Sequence, residues 1–498
     1  MASTANTSQL ARQVEQRLRE HSGVNDVAVA DVDGKLRAYV VPKEQYLDEV
    51  LGRAESERKR LLTWSKTYDL MHMGKQAATA PVAFNTAGWN SSYTHQPIPA
   101  EEMREWVELT CANILKLQPR EVLEIGCGPG LLLLRIAPHC TRYVATDFAG
   151  VALKSLRKQM AEIGGEWPGV ELLQRSAENL EGFESESFDT VVINSVVQHF
   201  PNLGYLNRVM DKVIGLIRPN GTLFIGDSRN LLLLEMYALS VELHHSKEED
   251  SVQELRDRVK KRIEREEQLV LSPAYFLSLL SHPRVRLVEV SPKHGTINNE
   301  LNRYRFDVTI RIDGSESVTS ECTWLDWKAS STSVESLRAL LDGRPERIGI
   351  RGIANARLTP DIAVLNELAA SDTASVKDLR AIAKDAEANA IWPEQLWQLG
   401  ESAGYEATLS WNSCRENGSY DAVFSRFDMV STLGSIAWPS PPANRTVCVT
   451  NAPSQLEFRQ RLTDELTRCG CEVTLVDAIP RNSTGAPDAD ALRTAASY

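Results

Sequence analysis

A glycine-rich segment, EVLEIGCGPGLLLLRIA, is the first place in the sequence where residue types and spacing indicate chemistry. Gly126, Gly128 and Gly130 follow a run typical of a buried strand and precede a run typical of a helix. Glycines let the backbone approach a ligand closely, and a helix N-terminus offers unpaired N–H groups. The spacing differs from the G-x-G-x-x-G fingerprint of dinucleotide sites. Glu124, two residues before the first glycine, suits a cationic amino-acid head group better than a pyrophosphate.

A second acid, Asp147, ends the next strand-like run, 21 positions after Gly126 (147 − 126). In doubly wound folds an acid about 20 residues beyond the glycine loop accepts hydrogen bonds from ribose hydroxyls. A tight strand–helix turn without a ligand would need only the glycines. The combination of strand, acid, three glycines, helix, strand and second acid therefore predicts a nucleoside-containing ligand.

His199, in the segment NSVVQHFPN, is the candidate proton acceptor. It follows an apolar strand-like run, which places it at the carboxyl edge where doubly wound folds bind ligands. Imidazole is largely neutral near pH 7 and can take the proton of an alcohol. The alternative is a scaffold histidine that bonds a backbone carbonyl at the strand end. His294 is a second candidate base, and His244 and His245 could reach a substrate only if their helical segment closed over the site.

These side chains need a scaffold, and the sequence from Glu121 onward predicts one. EVLEIGCG, RYVATDF, VELLQRS, FDTVVINSVV and GTLFIGDS are typical of short buried strands and alternate with helix-like segments. This rhythm predicts an α/β fold with a mostly parallel sheet and helices on both faces. After Ser228 comes a helical insertion with the charge-dense SVQELRDRVKKRIEREEQLV, which indicates a solvated helix face or a cap over the site. VRLVEVS and RYRFDVTIRI predict two more strands.

A chain of 498 residues predicts several structural units. We divide it into an α+β fragment with a hairpin at DVDGK (1–60), a helical and aromatic segment (61–120), the α/β core (121–325) with its insertion (229–280), an extension (326–430), and a linker at WPSPPANRT with a closing fragment (431–498).

Composition and charge exclude several classes of function. A net charge of −12 argues against broad nucleic-acid binding and against an acidic membrane surface. No run reaches the roughly 18 apolar residues of a spanning helix, and the N-terminal residues lack the apolar core of a signal peptide. Cys469 and Cys471 are the only close cysteine pair, and no histidine follows them at zinc-ligand spacing. We expect a cytoplasmic protein with reduced thiols and no metal.

The loop, its two acids and the alternating strands resemble the class I S-adenosylmethionine-dependent methyltransferases. The resemblance implies a seven-stranded sheet, S-adenosyl-L-methionine as cofactor and S-adenosyl-L-homocysteine as product. It places the glycines near the methionine part and Asp147 on the ribose. Relatives usually carry an adenine-contacting acid where Ser176 stands, and Glu178 is the substitute expected here. The implied cofactor-binding residues are Glu124, Gly126, Gly128, Gly130, Asp147, Phe148, Ala177, Glu178, Asn194, Tyr68 and Tyr93.

Three further motifs, TWSKTYD, GWNSSYTHQPIPAEEMREWV and NNELNRYRFDV, narrow the family. Together they resemble the methyltransferase domains embedded in nonribosomal peptide synthetases and polyketide synthases, over about Trp64 to Phe427. In that family the upstream aromatic segment folds over the cofactor, which implies a lid. Its members here would be Trp64, Tyr68, Trp89 and Tyr93. Packing against helices is the alternative for Trp89 and Trp106.

The two ends of the chain resemble parts of an adenylation domain. EQRLREHSGVNDVAVADVDGKLRAYVVP is similar to its small C-terminal subdomain, and LVDAIPRNSTGAPDADALRTAA to the closing motif of that subdomain. Adenylating relatives place a lysine after STG, where this chain has Ala486. Without that ammonium the fragment cannot stabilise the charge that develops during adenylate formation. We therefore expect an inert, vestigial α+β frame built from both chain ends.

The acceptor atom is predicted from two departures in the family motifs. N-methylating members typically carry tyrosine where this chain has QHF, and O-methylating relatives use a histidine with an acid, which Glu300 in NNELN matches. We therefore predict O-methylation of a polyketide hydroxyl or enol by His199 and Glu300. The substrate would be held through phosphopantetheine on an acyl carrier protein beside neighbouring synthase domains. The alternatives are N-methylation of a carrier-bound aminoacyl group and a non-catalytic spacer; C-methylation fits the aromatic motifs less well.

Overall fold

The computed structural model describes most of the chain. The described residues are 2–32, 35–43, 46, 53–73, 81, 83–164, 167–314, 322–327, 333–371, 374–386, 390–429, 436–439, 453–466, 469, 471–476, 479–482 and 486–488. The predicted hairpin turn at Asp33 and Gly34, the predicted linker from residue 440 and the closing segment from residue 489 lie outside them.

The described elements, in chain order, are as follows. The helices are α1 (Ala2–Glu20), α2 (Arg53–Met73), α3 (Ala100–Leu115), α4 (Leu133–Ile136), α5 (Gly150–Ile163), α6 (Leu203–Leu216), α7 (Leu234–His245), α8 (Val252–Glu264), α9 (Pro273–Ser278), α10 (Glu300–Tyr304), α11 (Val334–Asp342), α12 (Thr359–Ala370), α13 (Val376–Asp385), α14 (Pro393–Ala403) and α15 (Pro453–Leu466). The strands are β1 (Val24–Val32), β2 (Lys35–Pro42), β3 (Glu121–Ile125), β4 (Arg142–Asp147), β5 (Val170–Gln174), β6 (Phe188–Asn194), β7 (Ile217–Arg229), β8 (Val285–Pro292), β9 (Arg305–Ile312), β10 (Thr323–Asp326), β11 (Arg347–Ile353), β12 (Tyr405–Ser410), β13 (Tyr420–Arg426) and β14 (Glu472–Leu475).

The central sheet has seven strands in the order β5-β4-β3-β6-β7-β9-β8. The pairs from β5 to β7 are parallel, and β9 runs antiparallel to β7 and β8. Because helices cover both faces of a parallel sheet, its strands are apolar along their whole length. Phe188, Val191 and Ile193 of β6 are fully buried, and each contributes about 1.5–3 kcal/mol of burial free energy. The prediction of an α/β fold with a seven-stranded, mostly parallel sheet is confirmed.

Local sequence explains where the flanking helices begin. Asn202 caps α6, its side chain accepting a hydrogen bond from the Tyr205 backbone N–H. Ser251 and Glu254 form a reciprocal capping box at the start of α8. The apolar face of α6, which includes Val209, is buried in the core beneath the sheet.

The helices α7, α8 and α9 lie between β7 and β8, where a helical insertion was predicted. The charge-dense helix α8 has one apolar face: Leu255 and Val259 share a buried cluster with Leu239 of α7 and with Val364 and Leu379 of α12 and α13. The insertion is therefore anchored on the extension, and only the opposite face of α8 is solvated.

Two predicted boundaries fall inside regular elements. The boundary at residue 60 lies within α2, because ESERKRLLTWSKTYD forms one continuous helix. The boundary at residue 325 lies within β10, which belongs to a second sheet of order β10-β11-β13-β12. Arg357 ties this extension to the core: its fully buried guanidinium donates to the carbonyl oxygens of Lys293 (2.7 Å) and Gly295 (2.7 Å).

The first and last parts of the chain meet in a three-stranded sheet. Its order is β1-β2-β14, with β1 antiparallel and β14 parallel to β2. Val14 and Leu18 of α1 and Phe458 and Leu462 of α15 form one buried cluster with its strands. The predicted α+β unit built from both chain ends is thus present.

In the part of the chain that the structure describes, no helix is long and apolar enough to cross a membrane. The cysteines among those residues are free thiols. Within the same described ranges, no group of three or more histidine, cysteine, aspartate and glutamate side chains is arranged to hold a metal ion.

Candidate active site

A cleft of about 890 Å³ opens at the carboxyl ends of β3, β6 and β7. A smaller cavity of about 90 Å³, which we call the side cavity, adjoins it at the ends of β3 and β4. Tyr68, Gly126, Gly128, Ser195 and His199 line both spaces, so the two are adjacent. The structure therefore brings the glycine loop and His199 to one site, although 71 positions separate Gly128 from His199 (199 − 128).

The three glycines of the loop serve different purposes. All three have positive φ angles, of 78°, 50° and 83° in chain order. A Cβ atom on Gly126 would lie 2.3 Å from the Val196 side chain, and one on Gly130 would lie 2.4 Å from the Leu156 side chain. A Cβ atom on Gly128 would meet nothing within 4 Å. Gly126 and Gly130 are thus required by packing, whereas Gly128 leaves its backbone open to the cleft.

The two acids beside the loop are buried and differently bonded. Glu124 accepts a hydrogen bond from the Tyr143 hydroxyl (2.8 Å), and burial raises its pKa to about 7. Asp147 accepts from the backbone N–H groups of Gly128 (2.8 Å) and Ala149 (2.7 Å). Burial raises the pKa of Asp147, while these two N–H groups favour its charged form. Asp147 therefore fixes the loop conformation and still faces the side cavity.

The side cavity brings together most residues predicted to contact the nucleoside. Asp147, Phe148, Ser176 and Ala177 line it. Glu178, the predicted adenine contact, does not: its carboxylate accepts a hydrogen bond from Arg208 at 2.8 Å on the outer surface of α6. The structure therefore gives the Glu178 side chain a surface ion pair, because the basic residues of α6 lie closer to it than the cavity does.

His199 lies in the wall between the cleft and the side cavity. Its Nε2 atom is 2.8 Å from the Tyr68 hydroxyl, and its Nδ1 atom is buried without a hydrogen-bond partner among the described residues. Burial lowers the pKa of His199 to about 3, and the nearby guanidinium groups of Arg305 and Arg229 add to this effect. The imidazole is therefore neutral near pH 7 and a weak base.

Glu300 also lines the cleft, but its carboxylate has other partners. It accepts hydrogen bonds from the Ser92 backbone N–H (2.8 Å) and the Ser92 hydroxyl (2.6 Å). The Tyr237 hydroxyl donates to the same Ser92 oxygen at 2.7 Å. No hydrogen bond joins Glu300 to His199 in the described structure. Glu300 thus holds the loop of the GWNSSY motif, and the predicted histidine–acid pair is not assembled.

The helix α2 supplies two of the four residues of the predicted aromatic lid, Trp64 and Tyr68. Leu61, Trp64, Tyr68 and Met71, which recur at helical spacing, face the cleft or the side cavity. The Trp64 ring lies 4.6 Å from the His199 ring between centroids. Hydrogen bonds from Val151 N–H to Asp69 and from Asn202 to Glu57 hold the helix on the core.

Two other aromatic residues of the predicted lid occupy different places. Trp89 lines the cleft and packs on Trp106 at 4.7 Å between ring centroids. Tyr93, predicted to bind the cofactor, points instead to the insertion: its hydroxyl donates to Ser240 (3.1 Å) and its ring contacts His244. The left-handed turn at His95 (φ 56°) ends this loop and directs it toward α7.

The remaining candidate bases lie outside both spaces. His294 stacks on Trp397 of α14 at 3.5 Å, and burial lowers its pKa to about 3. His245 lies 3.3 Å from the Ser92 carbonyl oxygen and stacks on His95. These histidines pack the extension and the insertion against the core, so His199 is the candidate base that reaches the cleft within the described residues.

Residues 123–223 match the protein family described as "Methyltransferase domain". The chain contains a methyltransferase domain. The matched residues include the glycine loop, Glu124, Asp147 and His199. S-adenosylmethionine is the cofactor of this domain. The open backbone at Gly128, the buried Glu124 carboxyl and the Asp147 carboxylate at the side cavity fit that molecule, whose bound form supplies an electrophilic methyl group.

The methyltransferase domain and its flanks are similar to segments of much longer synthetases. Chondramide synthase cmdD of Chondromyces crocatus is 38% identical over 429 residues, which are 82% of this chain and 11% of that protein. Nonribosomal peptide synthetase agiA of Aspergillus flavus is 27% identical over 97% of this chain and 7% of its own length. The chain thus spans about a tenth or less of these relatives.

Among solved structures, the chain is similar to N-methyltransferase NodS from Bradyrhizobium japonicum WM9 in complex with S-adenosyl-l-homocysteine. The identity is 14%, and the match covers 45% of this chain and 99% of that one, with a TM-score of 0.27.

A buried acid that the sequence analysis did not single out joins three residues that line the cleft. Asp227 accepts hydrogen bonds from Trp106 (3.0 Å), the Ser195 hydroxyl (2.7 Å) and Arg305 (2.5 Å). It lies at a bulge in β7 with φ 63°, and Ser195 has φ 58° directly after β6. Asp227 stands near the end of the apolar run GTLFIGDS, as Asp147 stands at the end of an earlier run. The same reasoning from the sequence could therefore have identified Asp227.

Two amide side chains of the methyltransferase domain lie in the wall of the cleft. Asn194 and Gln198 line it, and both are more than nine-tenths buried. Their Oδ1 and Oε1 atoms have no hydrogen-bond partner among the described residues and are closed to solvent, so neither oxygen opens onto the cleft. The Asn194 oxygen packs against the backbone of Gly226, where a Cβ atom would lie 2.0 Å from it.

Proposed function

We propose that this chain is the N-methylating domain of a nonribosomal peptide synthetase. Its acceptor would be the α-amino group of an aminoacyl unit held on a carrier protein as a phosphopantetheine thioester. The names of both sequence relatives describe synthases or peptide synthetases, which supports a neighbourhood of synthetase domains. The prediction of O-methylation on a polyketide has less support.

The observation that carries this proposal is the bonding of His199. Its imidazole has the Tyr68 hydroxyl as its hydrogen-bond partner, and Glu300 is bonded to Ser92. An alcohol has a pKa far above neutrality and needs a general base supported by a carboxylate or similar group. An imidazole with a pKa of about 3, beside Arg305 and Arg229, is poorly suited to accept that proton.

An amine acceptor makes smaller demands on the site. An α-amino group has a pKa of about 7.7–8.0, so a substantial fraction is neutral at physiological pH and its lone pair is available. Its positioning would fall to the residues that line the cleft, among them Asn194 and Gln198. The domain would then contribute mainly by positioning the amine and excluding water.

The flanking α+β unit belongs to the same proposal. We interpret β1, β2 and β14 as the vestigial adenylation subdomain, with Ala486 in place of the lysine that adenylating relatives carry. The free thiols of the described cysteines suit a reducing compartment, so the cytoplasm remains the expected location.

Matched substrates test the proposal. A carrier domain is loaded with an α-aminoacyl group or with the α-hydroxyacyl group of the same side chain, and each is incubated with the full chain and S-adenosylmethionine. We expect mass spectrometry to show a gain of one CH₂ on the aminoacyl carrier only. Methylation of the hydroxyacyl carrier at a comparable rate would contradict the proposal and restore the oxygen acceptor.

A further inference from the structure

The helix α8 and its C-cap residue, Arg265, present four cations to the cleft. Arg258, Lys261, Arg262 and Arg265 all line it, and their spacing places them on one face of the helix. We call these four residues the α8 basic face. The acidic residues of the same helix, such as Asp257 and Glu264, are not among the lining residues.

The two halves of the α8 basic face differ in their ion pairs. Arg262 bonds Glu242 at 2.6 Å, and Arg258 bonds Asp250 at 3.0 Å. Lys261 and Arg265 are exposed and have no carboxylate within 4 Å in the described structure. Arg258 and Arg262 are therefore neutralised by carboxylates of the protein. Lys261 and Arg265, in contrast, leave two positive charges at the exposed end of the cleft.

Two acids also line this exposed end, and both act on other cations. Glu266 is paired with Arg229 at 2.8 Å, and the Glu267 carboxylate offsets part of the burial that lowers the pKa of Arg60 of α2. The chain as a whole carries a net charge of −12. A positive patch at the entrance of the catalytic cleft of an acidic protein indicates selection of an anionic partner.

We propose that Lys261 and Arg265 dock an acidic carrier protein and bind the phosphodiester of its phosphopantetheine arm at the cleft entrance. This inference rests on the proposed function, because it assumes that the substrate arrives on such an arm. A phosphodiester is a fixed anion and accepts charge-assisted hydrogen bonds from lysine and arginine. With the phosphate held at the entrance, the arm would extend inward along the cleft toward the glycine loop, which lines the same space.

A binding experiment that does not depend on turnover tests the docking surface. The probe is an isolated peptidyl carrier domain, without and with its phosphopantetheine arm, titrated into the full chain and followed by fluorescence anisotropy. We expect K261E/R265E to weaken binding of the arm-bearing carrier roughly tenfold or more and to reduce the salt dependence of its affinity. The matched control is K154E/K158E, which reverses two exposed lysines at the same spacing on α5.

Kinetics separate this inference from the proposed function. For the aminoacyl carrier, K261E/R265E should raise KM roughly tenfold. For the same amino acid as a small thioester without a phosphate, KM and kcat should change less than about twofold. Equal affinity of both double variants for the carrier, or an equal loss on both substrates, would overturn the docking surface. If K261E/R265E loses carrier binding but the unmodified chain methylates no amine, the docking surface stands and N-methylation is refuted.

Discussion

The cofactor end of the cleft and the end that we assign to the acceptor are built in different ways. At the cofactor end, Glu124, the glycine loop and Asp147 come from one β-α-β segment, and Asp147 bonds the loop directly. At the acceptor end, Trp106, Ser195, Asp227 and Arg305 come from four separate elements and meet around one buried carboxylate.

This difference explains why the two ends have different constraints. A contiguous segment can keep its geometry in any relative that keeps the motif, so the cofactor end is general to the fold. An assembled network depends on long-range packing, so it can be rearranged to suit another acceptor without disturbing the cofactor. The predictions below separate the two ends.

The largest expected effect is at the acceptor end. Asp227→Ala should reduce the free energy of unfolding by about 3–5 kcal/mol, because it leaves the Arg305 guanidinium buried without its partner. Chemical denaturation measures this. The control is Glu178→Ala, which breaks the half-exposed pair with Arg208 and should cost less than about 1 kcal/mol. Equal losses in the two variants would mean that the buried network does not organise the site.

The next effect concerns the cofactor end. Asp147→Ala removes the acceptor of two backbone N–H groups and the expected ribose contact, and it should weaken S-adenosylmethionine binding about 100-fold, or roughly 2.7 kcal/mol. Calorimetry measures the affinity. Loss of turnover at unchanged affinity would contradict the assignment of Asp147 to the cofactor.

A smaller, pH-dependent effect is expected at Glu124. Its pKa of about 7 means that the carboxyl gains a proton as the pH falls through 7, and the protonated form cannot pair with the ammonium of the cofactor. Affinity for S-adenosylmethionine should therefore be about tenfold weaker at pH 6 than at pH 8. Glu124→Gln should bind weakly at both values. A wild-type affinity that is independent of pH would show that Glu124 does not contact the charged head group.

The smallest effect is expected at His199. If the acceptor is an amine, His199→Asn should keep turnover within about tenfold, because no proton must be removed by a strong base. Rates with the aminoacyl carrier measure this, and Tyr68→Phe is the companion variant because it removes the partner of Nε2. A loss of more than about 1,000-fold in His199→Asn at unchanged cofactor affinity would make the imidazole a general base after all.

At the glycine loop the signals in the sequence are local, since the strand, the three glycines and Asp147 are recognised by their spacing. The rhythm of apolar runs predicted the mostly parallel sheet, and the family resemblance supplied its seven strands. The φ angles and the clashes at Gly126 and Gly130 then explain why glycine is needed there. Glu178 is the exception, since its surface pair with Arg208 depends on a helix 30 positions away (208 − 178).

The acceptor end could not be predicted to the same degree because its contacts are long-range. Motif position placed Glu300 beside His199, but Ser92 takes both of its carboxylate oxygens. Tyr93 was expected over the cofactor, yet its loop turns toward α7. The hydrogen bonds of Glu300 and Tyr93 join residues that are far apart in the sequence, so no local spacing could predict them.

The pairing of β2 with β14 has a consequence for how such a domain can spread. Val40 and Leu475 are neighbours in that sheet, so the entire catalytic unit departs and returns at a single seam. On the proposed function, genetic exchange between synthetase genes at that seam would transfer the methylating unit in one event. The receiving protein would keep the register of this sheet, and its product would gain or lose a methyl group.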